Sequence, residues 1–575
     1  MANTGEVVWG WQHDFRIGVK VLADLLMERL DARLQPYVFL LALGRSADGQ
    51  ETIVVDPDDC WYTWDQFAGF YERAEVIRES DPANQTLHSH PLEQQRHAES
   101  IRADSVRSAA LEILGALSSP DRTSFASAPV KVRGFDVLVV LQLDRAVVES
   151  YYSLQNSQFD DYWRVAVSLI DSAVAEYFAA CQVGLHTDRE GYGPFEVSAS
   201  PDALLRAAGH RLMLTPGWQL GLAQRLFNDC TSLAGQRLEG EASTGRMILA
   251  RQGRDDLEEV VRFERPVRMS VTRAARKALE MTDDSTLVQC EGDVITRLVH
   301  VAPGFDWGAE DAFIVEYTGH QAWQLTHDSN VLMRVVSGLP SLPRPRVDRA
   351  RFADVARRVL GSTEPQVEAM WVVVSAAIEQ RHGTMVVFAN DAESEASRLA
   401  GQALPVQPTP LSPETVRLVT GIDGAVLCDG NAECHAVGVI LDGLATEACT
   451  PARGARFNSA ARYCLPTGCR VAVVVSEDGD VDVLPALLPQ MRVALIHSIV
   501  GDLRIAVNAE PLDVRAMNRA LSWLDERRPY IESPEAAEIN SLLELANSRQ
   551  DPYAISWVRS PFTGASDLRG DLLLR

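Results

Sequence analysis

The chain has 575 residues, 46% of them hydrophobic and 23% charged, with a formal net charge of −25. That length exceeds a single hydrophobic core and implies three or four domains, in a mix that excludes fibrous or broadly disordered proteins. The acidic balance excludes nonspecific nucleic-acid binding through a wide basic face, but leaves room for a small basic pocket that takes one nucleotide.

The start, MANTGEVVWGWQHDF, lacks a basic stretch followed by an apolar run, so it does not read as a secretory signal. No stretch approaches the roughly 18 apolar residues of a membrane helix. The nine cysteines, at 60, 181, 230, 290, 428, 434, 449, 464 and 469, form no C-x-x-C pair. Their irregular spacing argues against a zinc ribbon or a redox dithiol and suits reduced thiols in a cytoplasmic protein.

Residues 1–155 read as a small α/β unit. The amphipathic helix FRIGVKVLADLLMERL precedes strands at YVFLLALG and TIVVDP, then a helix SIRADSVRSAALEILGAL and a strand FDVLVVLQL. The tryptophans of WGWQHDF suit a packing anchor. His88, His90 and His97 fall in a polar stretch that reads as a loop and helix start rather than a metal site. Residues 156–340 form a second, α+β segment. Helices around WRVAVSLIDSAVAEYFAAC and PDALLRAAGHRL come first, then strands GRMILAR, STLVQC, VITRLVHV, AFIVEYT and NVLMRVV. The EGD between the second and third strands predicts a hairpin turn, with Gly292 free to take positive φ. Gly191-Tyr192-Gly193 lacks the following G-K-[ST] of a phosphate loop and reads as a turn.

SGLPSLPRPRVDRARF marks a linker. Beyond it, residues 348–505 read as an α/β domain with a mixed, mostly buried sheet. Asp348 caps a first helix, and Gly383 ends a second. TMVVFAN, DGAVLCDG, CHAVGVIL, RVAVVVSED and VDVLP read as strands, with PETVRLVTG and FNSAARYCL as helices. Residues 506–575 read as a helical segment, whose second helix takes Ser533 as its cap and Glu535 and Glu538 in its first turns. The fold class is therefore multi-domain α/β.

Three pieces of the third segment bear on chemistry. Asp423-Gly424-Ala425 opens a strand; an aspartate there can hold a divalent metal against phosphates, and the glycine lets a ligand approach the backbone. Alone, such a tripeptide marks a turn. Gly454-Ala455-Arg456-Phe457-Asn458-Ser459 precedes and opens a helix, whose free N–H groups and dipole favour an anion. Arg456 adds a planar fork for phosphate oxygens and Ser459 a hydroxyl. Alone, this is a surface helix with ordinary arginines. Ser476-Glu477 ends a buried strand, the kind of place where α/β sheets bind ligands.

Taken as a set, the pieces resemble the nucleotide-binding domain of the diadenylate cyclase family, found in DNA-integrity-scanning proteins and their relatives. There a DGA motif is followed about thirty residues later by a G-x-R-H-R-type motif and then by a hydrophobic strand ending in Ser-Glu. The strand beginning Gly383-Thr384-Met385-Val386-Val387 is also similar, and the resemblance spans roughly residues 364–483. It implies a nucleotidyltransferase that binds ATP, uses Mg²⁺ or Mn²⁺, pairs face to face as a homodimer and closes cyclic di-AMP by two in-line attacks. It further implies Asp423 as the metal ligand and Arg456 as the second catalytic residue. Gly424, Ala425, Gly454, Ala455, Phe457, Asn458, Ser459, Arg462, Ser476 and Glu477 line the nucleotide. The upstream segments are similar to the sensor domains fused ahead of some cyclase domains and lack a basic DNA-binding character. Neither nucleic acid nor membrane is an expected partner.

One departure stands out. Where the family reads Arg-His-Arg, this chain reads Arg456-Phe457-Asn458. A cation and an imidazole are replaced, which implies weaker phosphate binding unless Arg453 or Arg462 compensates. Two alternatives follow: a catalytically degenerate sensor of a nucleotide or cyclic dinucleotide, and a cyclase that uses a different nucleotide in stress or antiviral signalling.

Overall fold

The computed structural model describes residues 9–45, 50–57, 60–117, 121–155, 165–186, 199–219, 225–236, 244–250, 254, 256–283, 285–343, 347, 349–378, 380, 383–446, 449, 454–476, 481–487, 490–549, 560–564 and 572–574. The chain divides into two compact units, residues 1–343 and 344–575. Among the described residues no helix is long and apolar enough to cross a membrane.

The first unit contains two sheets. The smaller runs Glu51–Asp56, Tyr37–Arg45, Phe135–Asp144, Arg122–Ala126, all antiparallel, with Val130–Val132 also on Phe135–Asp144. Its central strands are apolar on both faces because both are covered. Phe39, Leu41 and Leu43 pack toward helices Phe70–Ser80 and Pro91–Leu117, while Val38, Leu40 and Ala42 pack toward helix Gln12–Asp31. Trp9 is buried and meets Trp11 edge-on at 5.7 Å, as the anchor reading requires. His88 lies in a loop, and His97, on helix Pro91–Leu117, bonds the Ala83 carbonyl at 2.9 Å. The larger sheet has eight strands, and Gly292 turns its predicted hairpin at φ 67°. Strands Leu257–Arg268, Ala322–His327 and Leu339–Ser341 add to those expected. One apolar core runs from Trp9 through helices Leu169–His186, Pro201–Gln219 and Leu226–Ala234 into this sheet as far as Val335. The two sheets of the unit thus share an interior. Gly191-Tyr192-Gly193 falls outside the described residues.

The second unit begins with α1 (Arg349–Leu360), which ends at Gly361, in the left-handed region at φ 69° that only glycine enters cheaply. Asp348, expected to cap it, lies outside the described residues. α2 (Glu364–Ile378) follows. It stops well before Gly383, which is buried at the foot of the next strand and so is not the helix's cap. The domain then runs β1 (Thr384–Ala389), α3 (Ala392–Arg398), β2 (Leu404–Pro410), α4 (Pro413–Val419), β3 (Ala425–Cys428), β4 (Glu433–Val439), α5 (Ala455–Cys464), β5 (Arg470–Val475) and β6 (Val481–Leu484). The sheet order is β2-β4-β3-β1-β5-β6, with β1 and β3 parallel and the other pairs antiparallel. Val386, Phe388, Val426 and Val473 face α1 and α2, while Met385, Val387, Leu427 and Val474 face α5. Both faces are covered, which is why these strands read as unbroken apolar runs.

Three helices follow on their own core: α6 (Val493–Asn508), α7 (Val514–Glu526) and α8 (Ser533–Ser548). α8 corrects the sequence reading. Glu532 occupies the cap position, and Ser533 is already helical, packed so tightly on the Gly564 backbone that a Cβ there would lie 2.4 Å from Ser533 Cα. Glu535 does lie in the first turn, and Glu538 pairs with Arg504 Nε at 2.8 Å.

Candidate functional site

Strand register gathers the chemistry-bearing pieces. Val386 of β1 is aligned with Val426 of β3, which sets Thr384 level with Gly424. Thr384 also opposes Val475, and Ala425 opposes Val439. Asp423-Gly424, Gly438, Thr384 and Val475-Ser476 therefore share one end of the sheet, across four neighbouring strands. This is the amino end of the parallel strands β1 and β3 and the carboxyl end of β4 and β5.

Asp423 is exposed, and its carboxylate takes a hydrogen bond of 3.1 Å from the Gly424 N–H. Gly424 sits at φ 106°, and a Cβ on it would lie 2.5 Å from the Gly438 carbonyl carbon. Gly438 is itself at φ 63°. Two glycines facing each other let β3 and β4 close to backbone contact just where Asp423 leaves the sheet. Any side chain at Gly424 would force them apart.

α5 is aimed at the same end. Its last turn is held at the opposite end of the sheet, where Arg470 opens β5. The Arg470 guanidinium lies 4.3 Å over the Tyr463 ring and bonds Asp391 at 2.7 Å and Glu395 at 3.2 Å. Tyr463 donates to Glu395 at 2.7 Å. Arg398 completes the clamp, bonding Glu395 at 2.8 Å and Asp442 at 2.6 and 2.8 Å. These arginines hold the Glu395 carboxyl below its usual range, and burial pushes the Tyr463 hydroxyl up. A ten-residue helix spans about 15 Å, close to the length of β1, so anchoring its last turn here puts its first turn back at the Gly424 end. Arg470→Ala leaves Glu395 and Asp391 without their shared cation; a loss on the order of 3 kcal/mol is expected, measured by urea unfolding of the full chain.

Gly454 occupies the cap position of α5 at φ −63°; among the described residues no side chain caps the helix and nothing lies within 4 Å of where a Cβ would be. A helix start of this kind turns its dipole and N–H groups toward an anion. Arg456, Asn458 and Ser459 are half-buried on the first turns, and Arg462 is exposed. Phe457 packs partly into the apolar layer with Ala460 and Ala461. The connection after β4 crosses α5 closely: Gly443, at φ 142°, leaves no room for a Cβ, which would fall 2.4 Å from the Arg462 carbonyl oxygen. It carries Cys449 to 3.6 Å from Thr446 Oγ1. Hydrogen bonding from the Thr446 backbone, then from its hydroxyl, and the nearby Arg462 hold that thiol below its ordinary range. Ser476 follows β5 directly and is half-buried, while Glu477 and Arg453 lie outside the described residues.

Comparison with known proteins fits this arrangement. Residues 372–486 match the family model described as DisA bacterial checkpoint controller nucleotide-binding. This part of the chain is similar to that nucleotide-binding domain family. Upstream, residues 8–213 match the model named "Probable sensor domain DACNG" and residues 224–329 the model named "Probable sensor domain DACNH". Among solved structures, a double cysteine mutant of DacA from Staphylococcus aureus is similar at 20% identity and a TM-score of 0.18, covering 21% of this chain and 81% of that one. No curated protein matches.

Every residue named for the site from the sequence falls inside the matched cyclase-type domain. The structure adds Gly438 and Gly443, which make the close approaches around Asp423 and α5, and Thr446 and Cys449 on the connection. None of the four carries a motif. Only the register of the β3–β4 hairpin and the crossing over α5 assign them. Arg398 proves structural, because it ties α3 to the connection at Asp442.

Proposed function

We propose that this protein condenses two ATP molecules into cyclic di-AMP and two pyrophosphates, under the control of the sensor-family domains that precede the cyclase-type domain. The observation that carries this reading is the sheet end, inside such a domain, where an exposed aspartate stands beside a glycine pair in backbone contact. In each of two steps the 3′-hydroxyl of one nucleotide attacks the α-phosphate of the other and pyrophosphate leaves. The protein contributes position and charge rather than a covalent intermediate. The N–H groups of α5, with Arg456 and Ser459, hold the triphosphate. Gly424 and Ala425 let the nucleotide lie on the backbone, and Ser476 and Glu477 flank its phosphate end.

Bound Mg²⁺ or Mn²⁺ supplies charge neutralisation at the α-phosphate, and Asp423 is the residue that would hold it. The donor set fits. Such ions bind through one or two carboxylates plus substrate phosphates and water, and Asp423 offers an exposed carboxylate with one hydrogen bond from its neighbour.

Cyclisation needs two sites facing each other. Supporting a face-to-face pair, large apolar side chains lie beside the Asp423 end: Leu404, Ile422 and Ile440 are 63%, 46% and 51% exposed. Such a patch on an otherwise acidic surface is what a second copy would cover. Incubating the pure protein with each nucleoside triphosphate and Mg²⁺ or Mn²⁺, with products read by mass spectrometry, tests the activity. Cyclic di-AMP from ATP is expected, and product from another nucleotide alone overturns the substrate. Specific activity is expected to fall on dilution, with linear pppApA accumulating. A strictly monomeric protein by light scattering that still makes the cyclic product defeats the pairing.

The second reading, a nucleotide or cyclic-dinucleotide sensor without turnover, draws on Phe457. Where the family carries an imidazole, this ring is partly committed to the apolar layer. Binding without product in the same assay would favour it.

A further inference from the structure

Two cysteines that the sequence spacing keeps apart meet in space. Cys428 ends β3, Cys434 lies near the start of β4, and the two are direct partners across the antiparallel pair. Residues so opposed have Cα atoms about 4.5–5.5 Å apart, inside the range a disulfide bridges without backbone movement. Among the described residues no other two cysteines are register partners. The turn between them is already fixed. Asp429 accepts from the N–H groups of Asn431 and Glu433, each at 2.9 Å, its own N–H bonds the Glu433 carbonyl at 3.0 Å, and Ala432 takes φ 62°. Both cysteines are buried, at 0% and 1% exposure, against Phe388, Val426 and Val471.

We infer that Cys428 and Cys434 are a redox couple that peroxide or a small disulfide converts to an intramolecular disulfide, stapling the hairpin whose far end carries Asp423-Gly424 and Gly438. The thiols are unequal. A hydrogen bond with Cys428 lowers the Cys434 thiol, and the same contact, with burial, pushes Cys428 up. Once the hairpin opens, one sulfur attacks the oxidant and the other resolves it, here written with Cys434 attacking. With hydrogen peroxide, Cys434 sulfur takes one oxygen as sulfenic acid and releases water. Cys428 sulfur then attacks it, the S–S bond forms and a second water leaves. In sum two thiols lose two hydrogens and two electrons, and the peroxide is reduced to two waters. A dithiol reverses the step. Burial makes the reaction wait on hairpin opening, so its rate rises in sub-denaturing urea. The inference does not depend on the proposed catalytic activity.

The full-length protein, reduced and then exposed to hydrogen peroxide or glutathione disulfide, is alkylated under denaturing conditions and mapped by mass spectrometry. A 428–434 cross-link with a loss of about 2 Da, reversed by dithiothreitol, is expected. Hydrogen exchange across residues 425–439 should slow in the oxidised form. In C428S, circular dichroism should be unchanged and Cys434 should be trapped as a dimedone-reactive sulfenic acid. Cross-linking to another cysteine, oxidation confined to Cys449, or two thiols that stay reduced in sub-denaturing urea each overturn the inference.

Discussion

Asp423→Asn is expected to abolish nucleotide turnover and leave the fold intact. The substitution exchanges a hard anionic ligand for a neutral one of nearly equal size. The side chain is exposed, and its one hydrogen bond, from the Gly424 N–H, can be kept by the amide oxygen. Stability should therefore stay within about 0.5 kcal/mol of the parent. Nucleotide affinity measured without divalent metal should change little, because the proposed site gives the phosphates to α5 and its neighbours. Affinity measured with metal should fall toward that metal-free value. The two readouts together are product formation by mass spectrometry and calorimetric binding with and without Mg²⁺. Unchanged product formation would remove Asp423 from the chemistry. A folded variant that loses metal-free binding as well would make the residue a structural support for the Gly424 approach instead.

How the site lies in the fold was only partly legible from the sequence. Strands β1, β3, β4 and β5 are apolar, bounded by polar or glycine-containing turns, and buried on both faces, so pattern alone finds them. β2 escaped because Leu404–Pro410 contains three prolines, which read as loop. It is the edge strand, where a missing N–H costs no ladder bond. α6 escaped for a different reason: its apolar residues carry no turn signal at its start, and its partners α7 and α8 lie later in the chain. In the first unit, Leu257–Arg268 is charged and largely exposed, so it shows no buried face to detect. The motif residues were visible as pieces. What the sequence could not supply is that Asp423 and Gly454 approach one sheet end, because that follows from the parallel register of β1 with β3 and from the Arg470 clamp on the last turn of α5. The same limit hid the cysteine pair. Five intervening residues conform to no redox motif, and only the β3–β4 register sets the two thiols opposite one another.

The second large effect concerns the phosphate grip, where Phe457 and Asn458 replace the family's His and Arg. Phe457 cannot simply be counted as a lost contact, since it contributes to packing beside Ala460 and Ala461. Arg456 remains on the first turn of α5, and Arg462 lies exposed three residues after Ser459, on neighbouring positions of the same surface. Arg456→Ala is expected to weaken ATP binding by roughly 10- to 150-fold, the equivalent of one charge-assisted hydrogen bond of about 1.5–3 kcal/mol. Arg504→Ala, on the exposed α6–α8 surface, serves as the silent control. Arg462 decides how the missing cation is made good. If it compensates, Arg462→Ala costs nearly as much as Arg456→Ala, and the loss is partly rescued by N458R, which restores a charge one turn earlier. If it does not, Arg462→Ala is close to silent and N458R raises activity in the parent background. F457H should be combined only after N458R, because it exchanges an apolar contact for a polar ring and lowers stability by itself. Calorimetry separates these outcomes from turnover. Equal affinities for the parent and Arg456→Ala would dismiss the α5 pocket. Measurable binding with no product, in the parent and after both restorations, would leave a nucleotide-binding sensor on a cyclase scaffold.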